Sequence, residues 1–547
     1  MNKSDEMSLV VTYLINTWQQ LTECITKNPD KLIINQLSYW KDYQTILNNS
    51  SPEINESHYQ VKNSEWQKNI LFTFIKKSYN LLSNHIEYFV NDLSENQNDH
   101  VKKRFHFFTQ QMLDAIAPTN FPHMNPDVFE TMTETNGLNI MEGFKQFIDD
   151  IQRGNGYLDI KNTDLDAFKV GENIACTPGK IIYQNDIMQL IHYTPTQNKN
   201  YQKPLLIVPP WINKYYILDL QQNNSFVKWL LDQGMNVFMI SWVNATNYHK
   251  NKTFSDYMVD GPLTALNIIS KLTHQNINAL GYCIGGTLLA CLLAYLAKKR
   301  DQRIQSATFL TTLLDFSEPG ELGAFIDKKE LDLLDAHMKS KGYLDGRIMA
   351  TVFSALRAND LIWSSFINNY LKGQKPKPFD LLYWNADSNN IPAKVHSFYL
   401  KNMYLKNKLI EKNRLTLSGV SIDLNRINIP CYFLATQDDH IVPWTTCYKG
   451  AQLIKGQTKF VLACSGHVAG VINPPKRDKY GYWSNQSKNI SHENFLSNAQ
   501  FSQGSWWNDW LCWQSKYAGK LVASRNIKYQ SLENAPGSYV KVKTEQI

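Results

Sequence analysis

The sequence predicts an α/β catalytic domain built on a largely parallel sheet, interrupted by a long insertion and preceded by a mostly helical N-terminal domain. Three observations predict this. From about residue 180 onward, short apolar runs of strand length alternate with helical stretches, the order that builds a parallel sheet flanked by helices. One run ends in a glycine-rich turn that holds a cysteine, Gly281-Tyr282-Cys283-Ile284-Gly285-Gly286. The first 170 or so residues instead space their apolar side chains by three and four, as amphipathic helices do.

At 547 residues the chain is too long for one ordinary core. The expected division is a helical domain over 1–175 and a catalytic domain over 176–547. In the first, WQKNILFTFIKKSYNLLSNHIEYFVNDL (66–93) has helical spacing. The polar stretches NNSSPEINESH (48–58) and NDLSENQNDH (91–100) read as loops. In the second, PLLIVPPW (204–211), NVFMISW (236–242), INALGYC (277–283), SATFLTTLLDF (306–316), PCYFLATQDD (430–439) and KFVLACSGH (459–467) read as buried parallel strands. FVKWLLDQG (226–234) and GTLLACLLAYLAKKR (286–300) read as crossover helices. The stretch 317–429 is too long for a connection within a sheet domain and reads as a cap or lid.

The formal net charge of +7 is mild over this length. It excludes the concentrated basic stripe of a nucleic-acid binder and suits small anionic substrates. The first twenty residues carry Asp5 and Glu6 and lack a small-residue cleavage site, so no secretory leader is expected. The longest apolar run, LLACLLAYLA (288–297), is too short to span a bilayer, and no transmembrane segment is expected. The eight cysteines show no CxxC spacing and read as reduced thiols of a cytoplasmic protein. Metal-ligand spacings are also missing, so no metal is expected.

A strand before the glycine-rich turn and a helix after it make this the context of a nucleophile elbow, the mark of an α/β-hydrolase fold. Gly281 and Gly285 would let strand and helix approach closely, and Gly286 would leave room for an acyl group. Cys283 is then a nucleophile beside a helix N-terminus, whose partial positive charge favours a thiolate. The alternative is an inert cysteine in a tight turn. A thiol at this place suits transfer better than hydrolysis, because attack on a thioester exchanges one sulfur ester for another of similar energy.

An acid and a histidine should follow in that order. Asp439 ends one apolar run and His467 follows another. His467 would take the Cys283 proton, and Asp439 would hold the imidazole tautomer. His440 competes as base; Asp438 and Asp315 compete as acid. The oxyanion hole should use the N–H of Ile284 and one from the loop after 204–208. Pro209 and Pro210 have no N–H to give, leaving Trp211 or Ile212.

Taken together, these blocks resemble the polyhydroxyalkanoate (poly-3-hydroxybutyrate) synthase family, most closely the class I, single-subunit type. The resemblance is carried by GYCIGG (281–286), LIVPPWINKYYILDL (206–220), TLLDF (312–316), NDLIW (359–363), NYLKG (369–373), PFDLLYWNAD (378–387), DDHIVPW (438–444), SGHVAGVINPP (465–475) and GSWWNDW (504–510). DAIAPTNFPHMNP (114–126) matches more faintly, and the similarity runs over roughly 105–543 in one order. It implies polymerisation of short-chain 3-hydroxyacyl-CoA, with 3-hydroxybutyryl-CoA foremost, into polyester with release of CoA through an acyl group on Cys283. His467 is then the base and Asp439 its partner, with a further part in activating the monomer hydroxyl. Asn407, in YLKNKL (404–409), matches a family asparagine near the site; a plain polar lid residue is the alternative. No cofactor is implied, since coenzyme A is part of the substrate. The implied partners are the growing polyester, the surface of a polyester granule in the cytoplasm, and a second copy of the chain in a homodimer. Trp211 and Val243 depart from the residues expected in near relatives. Trp506 and Trp507 are read either as contacts to an apolar product or as core. Two other functions remain open at this level: a thioesterase or hydrolase of the same fold using water, and a silent granule-coating protein, against which the intact Cys, Asp and His argue.

Overall fold

The computed structural model describes residues 4–48, 65–485, 491–524 and 529–544. The loop expected over NNSSPEINESH lies, apart from Asn48, outside the described residues. The chain forms two compact units: residues 1–165 with 323–325 and 351–378, and residues 166–322 with 326–350 and 379–547. No helix among the described residues is long and apolar enough to cross a membrane.

The first unit is helical. Its long helices are Ser4–Lys27, Pro29–Leu47, Ile70–Ser94, Asp99–Ala115, Pro126–Glu134 and Leu138–Arg153. Leu21, Val90, Leu93 and Phe105 make a shared core between the first, third and fourth of these. Within NDLSENQNDH, helix runs to Ser94 and resumes at Asp99. Asn98 caps the second of the two helices by accepting from the Val101 N–H at 3.0 Å. Asn125 caps the next helix in the same way, with Pro126 at its first position. The segment 351–378, expected to be part of the cap, packs into this unit. A Cβ on Gly143 would lie 1.9 Å from the Tyr370 carbonyl oxygen, so only glycine lets the helix approach that backbone. The Asn139 amide also donates to the Leu371 carbonyl at 2.7 Å.

The second unit is built on an 11-stranded sheet. Its strands in chain order are β1 (Gly179–Gln184), β2 (Met188–Tyr193), β3 (Leu205–Val208), β4 (Val237–Trp242), β5 (Ile277–Tyr282), β6 (Ile304–Leu310), β7 (Cys431–Thr436), β8 (Thr458–Ala463), β9 (Gly481–Ser484), β10 (Gln500–Gln503) and β11 (Glu533–Asn534). They lie in the order β10-β9-β8-β7-β6-β5-β3-β4-β2-β1-β11. The stretch from β8 to β4 is parallel throughout, and the outer strands on both sides pair antiparallel. This is the α/β-hydrolase architecture. The central strands β3 to β7 are buried almost throughout, on both faces, which is why each reads as an unbroken apolar run.

One expected strand is shorter than its apolar run. β6 ends at Leu310, and Thr311 turns the chain at φ 39°. Leu313, Leu314 and Phe316 remain buried in a loop. Apolarity there reports burial, not extension.

Candidate active site

Cys283 stands one residue beyond β5, with φ 52° and ψ −126°, and the helix Ile284–Lys299 begins at the next residue. A β-carbon is strained at this φ, so the fold is spending stability to hold the thiol out of the strand line. The Cys283 N–H donates to the Leu310 carbonyl at 2.9 Å, which locks the turn to β6. Close packing explains the glycines. A Cβ on Gly281 would lie 2.4 Å from Gly286 Cα, and one on Gly285 would lie 2.3 Å from the Val208 carbonyl oxygen. The space expected beside Gly286 for an acyl group is filled: a Cβ there would meet Thr312 Oγ1 at 2.0 Å. That glycine serves packing of the helix on the loop after β6.

Strand register brings the other groups to the same end of the sheet. Tyr282 pairs with Leu310, Leu310 with Leu434, and Thr436 with Ala463. The chain leaves β7 into Asp439 and β8 into His467, just past those paired ends. His467 Nδ1 lies 2.7 Å from Asp439 Oδ2. Cys283 acts on the same imidazole electrostatically. Asp439 is buried, and its carboxylate is fully engaged. Oδ1 accepts from the Ile441 and Val442 N–H groups at 2.9 and 2.8 Å, and Oδ2 also accepts from Thr436 Oγ1 at 3.1 Å.

Burial would push the His467 imidazole toward its neutral form. Negative charge on Asp439 and on the Cys283 sulfur outweighs that, and the group is pushed up to about 10. The arrangement therefore favours a protonated imidazole whenever the sulfur is charged.

The rivals lie elsewhere. Asp438 is exposed. Asp315 accepts from the Asn407 amide at 2.8 Å and from the Ser317 N–H at 2.8 Å. His440 anchors a turn through its carbonyl, which accepts from the Glu321 N–H at 3.0 Å. Ile284 is the first residue of its helix, where an N–H has no intrahelical partner. The loop from Pro209 runs beside it, as the clash distances at Gly285 show. Trp211 and Ile212 follow in that loop, and their carbonyls accept from the side chain and the N–H of Asn389 respectively. The Trp211 ring is buried against Trp242, Phe254 and Tyr257, and the Val243 N–H donates to the Ile187 carbonyl at 2.8 Å. Trp211 thus sits in a packing position, and Val243 is held through its backbone. Asn407 is at φ 42° and also accepts from the Phe316 N–H at 2.9 Å, so its amide ties two adjacent residues of the loop after β6.

Several residues were not legible in the sequence as parts of this site. Tyr282 stacks on the His467 ring at 5.7 Å, and its hydroxyl donates to the His467 carbonyl at 3.2 Å. Thr436 could have been noticed as a hydroxyl three residues before the acid. Tyr399 and Tyr404, from the insertion, pack 5.3 Å apart and edge-on against Phe316, and burial followed by neighbouring charge pushes both titrations up. Trp506 and Trp507 are core, not surface. Their indole N–H groups donate to the Gly470 and Val471 carbonyls at 3.0 and 2.9 Å, pinning the loop that follows His467.

Comparison with known proteins points one way. Residues 57–230 match the family described as "Poly-beta-hydroxybutyrate polymerase (PhaC) N-terminus", and residues 203–474 match the alpha/beta hydrolase fold. A poly(3-hydroxyalkanoate) polymerase subunit PhaC of Rhizobium meliloti is 40% identical over 99% of this chain and 90% of its own length. A poly(3-hydroxyalkanoate) polymerase of Methylorubrum extorquens is 40% identical over 98% and 90%. The corresponding subunit of Cupriavidus necator is 40% identical over 81% and 76%.

Proposed function

This chain belongs to the poly(3-hydroxyalkanoate) polymerase family, and from that premise we propose that it is an acyltransferase of the single-subunit type that polymerises short-chain 3-hydroxyacyl-CoA through an acyl group carried on Cys283. The observation that carries the mechanism is the line Cys283, His467, Asp439 at the ends of β5, β8 and β7, with a 2.7 Å contact between the last two.

In the first step Cys283 passes its proton to His467, and the sulfur attacks the thioester carbonyl. The bond from that carbon to the CoA sulfur breaks, and coenzyme A leaves with the proton from His467. In the second step the hydroxyl of another hydroxyacyl group attacks the acyl-cysteine. Its proton goes to His467, an ester bond forms, and the Cys283 sulfur departs and is reprotonated. The N–H of Ile284 with that of Trp211 or Ile212 receives the charge on the carbonyl oxygen at each tetrahedral stage. Asp439 keeps Nδ1 of His467 protonated and turned away, so that Nε2 faces the reacting atoms. Balanced in this way, the reaction needs no cofactor beyond the coenzyme A that arrives in the substrate. The same reading places the working enzyme at the surface of its polyester granule in the cytoplasm, as a homodimer.

Purified protein supplied with 3-hydroxybutyryl-CoA should release CoA and deposit insoluble polyester, and Cys283→Ala should do neither. Free 3-hydroxybutyrate in amounts equal to the CoA released would instead establish a thioesterase. Unchanged CoA release by Cys283→Ala would overturn the site.

A further inference from the structure

The loop that leaves β3 carries the second candidate oxyanion donor, and contacts outside the sheet set its path. At its start it abuts the nucleophile helix, since a Cβ on Gly285 would lie 2.5 Å from the Pro209 carbonyl oxygen. The same carbonyl accepts from the Trp242 indole N–H at 2.9 Å. Beyond the prolines, one short stretch of the insertion holds the loop residue by residue. The Asn389 side chain donates to the Trp211 carbonyl at 3.3 Å, and the Asn389 N–H to the Ile212 carbonyl at 2.8 Å. The Asn213 amide donates to the Asn385 carbonyl and to Ser388 Oγ, both at 3.3 Å. The Trp384 indole donates to the Lys214 carbonyl at 2.7 Å. A trans peptide sets its C=O and N–H on opposite sides. With the Trp211 carbonyl turned to Asn389, the Ile212 N–H therefore points away from that residue, and among the described residues it has no acceptor.

A buried cation closes this stretch of the loop. Lys214 is 3% exposed. Its ammonium meets Asp387 Oδ1 at 2.7 Å and donates to the Val542 carbonyl at 2.9 Å. The other carboxylate oxygen of Asp387 accepts from the Tyr216 hydroxyl at 2.8 Å. The Val542 carbonyl is itself fixed, because it also accepts from the Asn244 amide at 3.2 Å, and Thr544 Oγ1 donates to the Ser388 carbonyl at 2.6 Å. Asn244 Oδ1 in turn accepts from the Asn390 N–H at 2.8 Å. One ammonium thus joins three segments far apart in sequence: the loop after β3, the insertion and the C-terminal segment.

A buried ion pair is a weak source of stability, because desolvation offsets the attraction between its charges. What it fixes is direction. Both partners here are hydrogen-bonded on more than one side, and the backbone they hold is the part of the loop just after the Ile212 N–H.

We propose that Lys214 is a positioning residue for the oxyanion hole, whose ammonium, held by Asp387 and the Val542 carbonyl, fixes the loop so that the Ile212 N–H meets the carbonyl oxygen of the thioester. The inference rests on Cys283 being the acyl carrier. A donor in this role works when it is set in advance at the place where charge develops. Without the anchor the loop shifts, and the tetrahedral stage loses part of that donor. Cys283 and His467 are held by Leu310 and Asp439 instead, so the thiol keeps its reactivity.

The test separates a shifted oxyanion donor from a damaged thiol. Attack of Cys283 on a thioester passes through a tetrahedral oxyanion. Its alkylation by iodoacetamide, a displacement at saturated carbon, does not. Both are followed in the full-length protein, by single-turnover CoA release from 3-hydroxybutyryl-CoA and by peptide mass spectrometry of the Cys283 adducts. Lys214→Met should slow acylation at saturating substrate by about 10- to 100-fold, less than the roughly 10²- to 10³-fold for outright loss of an oxyanion donor, with the half-saturating concentration and the alkylation rate within about threefold of native. Asp387→Asn keeps the shape and leaves the bond to Val542; it should slow acylation by about three- to tenfold with alkylation unchanged, and it carries the test if Lys214→Met does not fold. Acylation within about twofold of native in Asp387→Asn and in folded Lys214→Met overturns the inference. So does an equal loss of acylation and alkylation in a folded variant, which marks a general structural role. Either result leaves Cys283 as carrier. A native protein that takes no acyl group on Cys283 overturns both readings.

Discussion

Replacement of Asp439 by Asn probes the line of three groups most directly, because it changes charge and hydrogen-bond polarity with almost no change of volume. The native carboxylate accepts from His467 Nδ1 at 2.7 Å, from Thr436 at 3.1 Å and from two backbone N–H groups at 2.9 and 2.8 Å. In the amide, Oδ1 still serves the two backbone donors, so the loop 439–442 keeps its turn. Nδ2 then meets His467 as a donor. The imidazole must take the other tautomer, with its proton on Nε2, where it no longer accepts one from Cys283. A hydrogen bond to a charged group contributes about 1.5–3 kcal/mol, or roughly 10- to 150-fold in rate. The wrong tautomer adds to this, since the same change in a serine protease costs about 10⁴-fold. We expect CoA release from 3-hydroxybutyryl-CoA, followed by rapid quench and chromatography, to slow by about 10²- to 10⁴-fold, with the thiol still present. Asp438→Asn and Asp315→Asn should stay within about threefold of native. Asp439→Asn retaining half the native rate, or Asp315→Asn falling as far, would refute the assignment of the acid. A pH signature accompanies it. His467 is pushed above its ordinary value, up to about 10, so its ion pairing contributes stability that is full below about pH 6.5 and is lost as pH rises toward 10. The difference in Tm between native protein and Asp439→Asn should therefore shrink across that window.

Two further perturbations test the supports of the site. Gly286→Ala would drive a Cβ to 2.0 Å from Thr312 Oγ1; we expect a loss of about 1–3 kcal/mol by denaturant unfolding, partly restored by Thr312→Ala, and unchanged stability would show that the elbow has slack. Asn407→Asp would set a carboxylate against Asp315, now 2.8 Å from the Asn407 amide; its Tm should fall, and an unchanged Tm would mean that the amide's bond to Asp315 contributes nothing.

The α/β-hydrolase class and the order of the main parallel strands were legible in the chain, because strands covered on both faces must be apolar along their whole length. The elbow was legible because close approach of strand and helix tolerates no side chain at Gly281 or Gly285. Asp439 and His467 were legible as polar residues that end apolar runs, but the sequence left His440, Asp438 and Asp315 in contention. Register decided where these groups meet. Pairings between strands distant in sequence set Asp439 2.7 Å from His467, while Asp315 is taken by Asn407. The antiparallel strands at either edge, and the end of β6 at Leu310, were not legible. Short edge strands bury little, and the buried loop after Leu310 is as apolar as a strand. The role of Gly286 was misjudged for a related reason. A glycine shows that something lies close, and only the tertiary structure shows that it is Thr312. Tyr399 and Tyr404 come from the insertion, where a π turn sets both rings against Phe316, and such contacts leave no periodic trace. The sequence by itself determined the chemistry that could occur, through a thiol, a carboxylate and an imidazole at the ends of buried strands. Tertiary structure decided that Asp439, and not Asp315, meets His467, because that contact arises from strand register between segments that are distant in sequence.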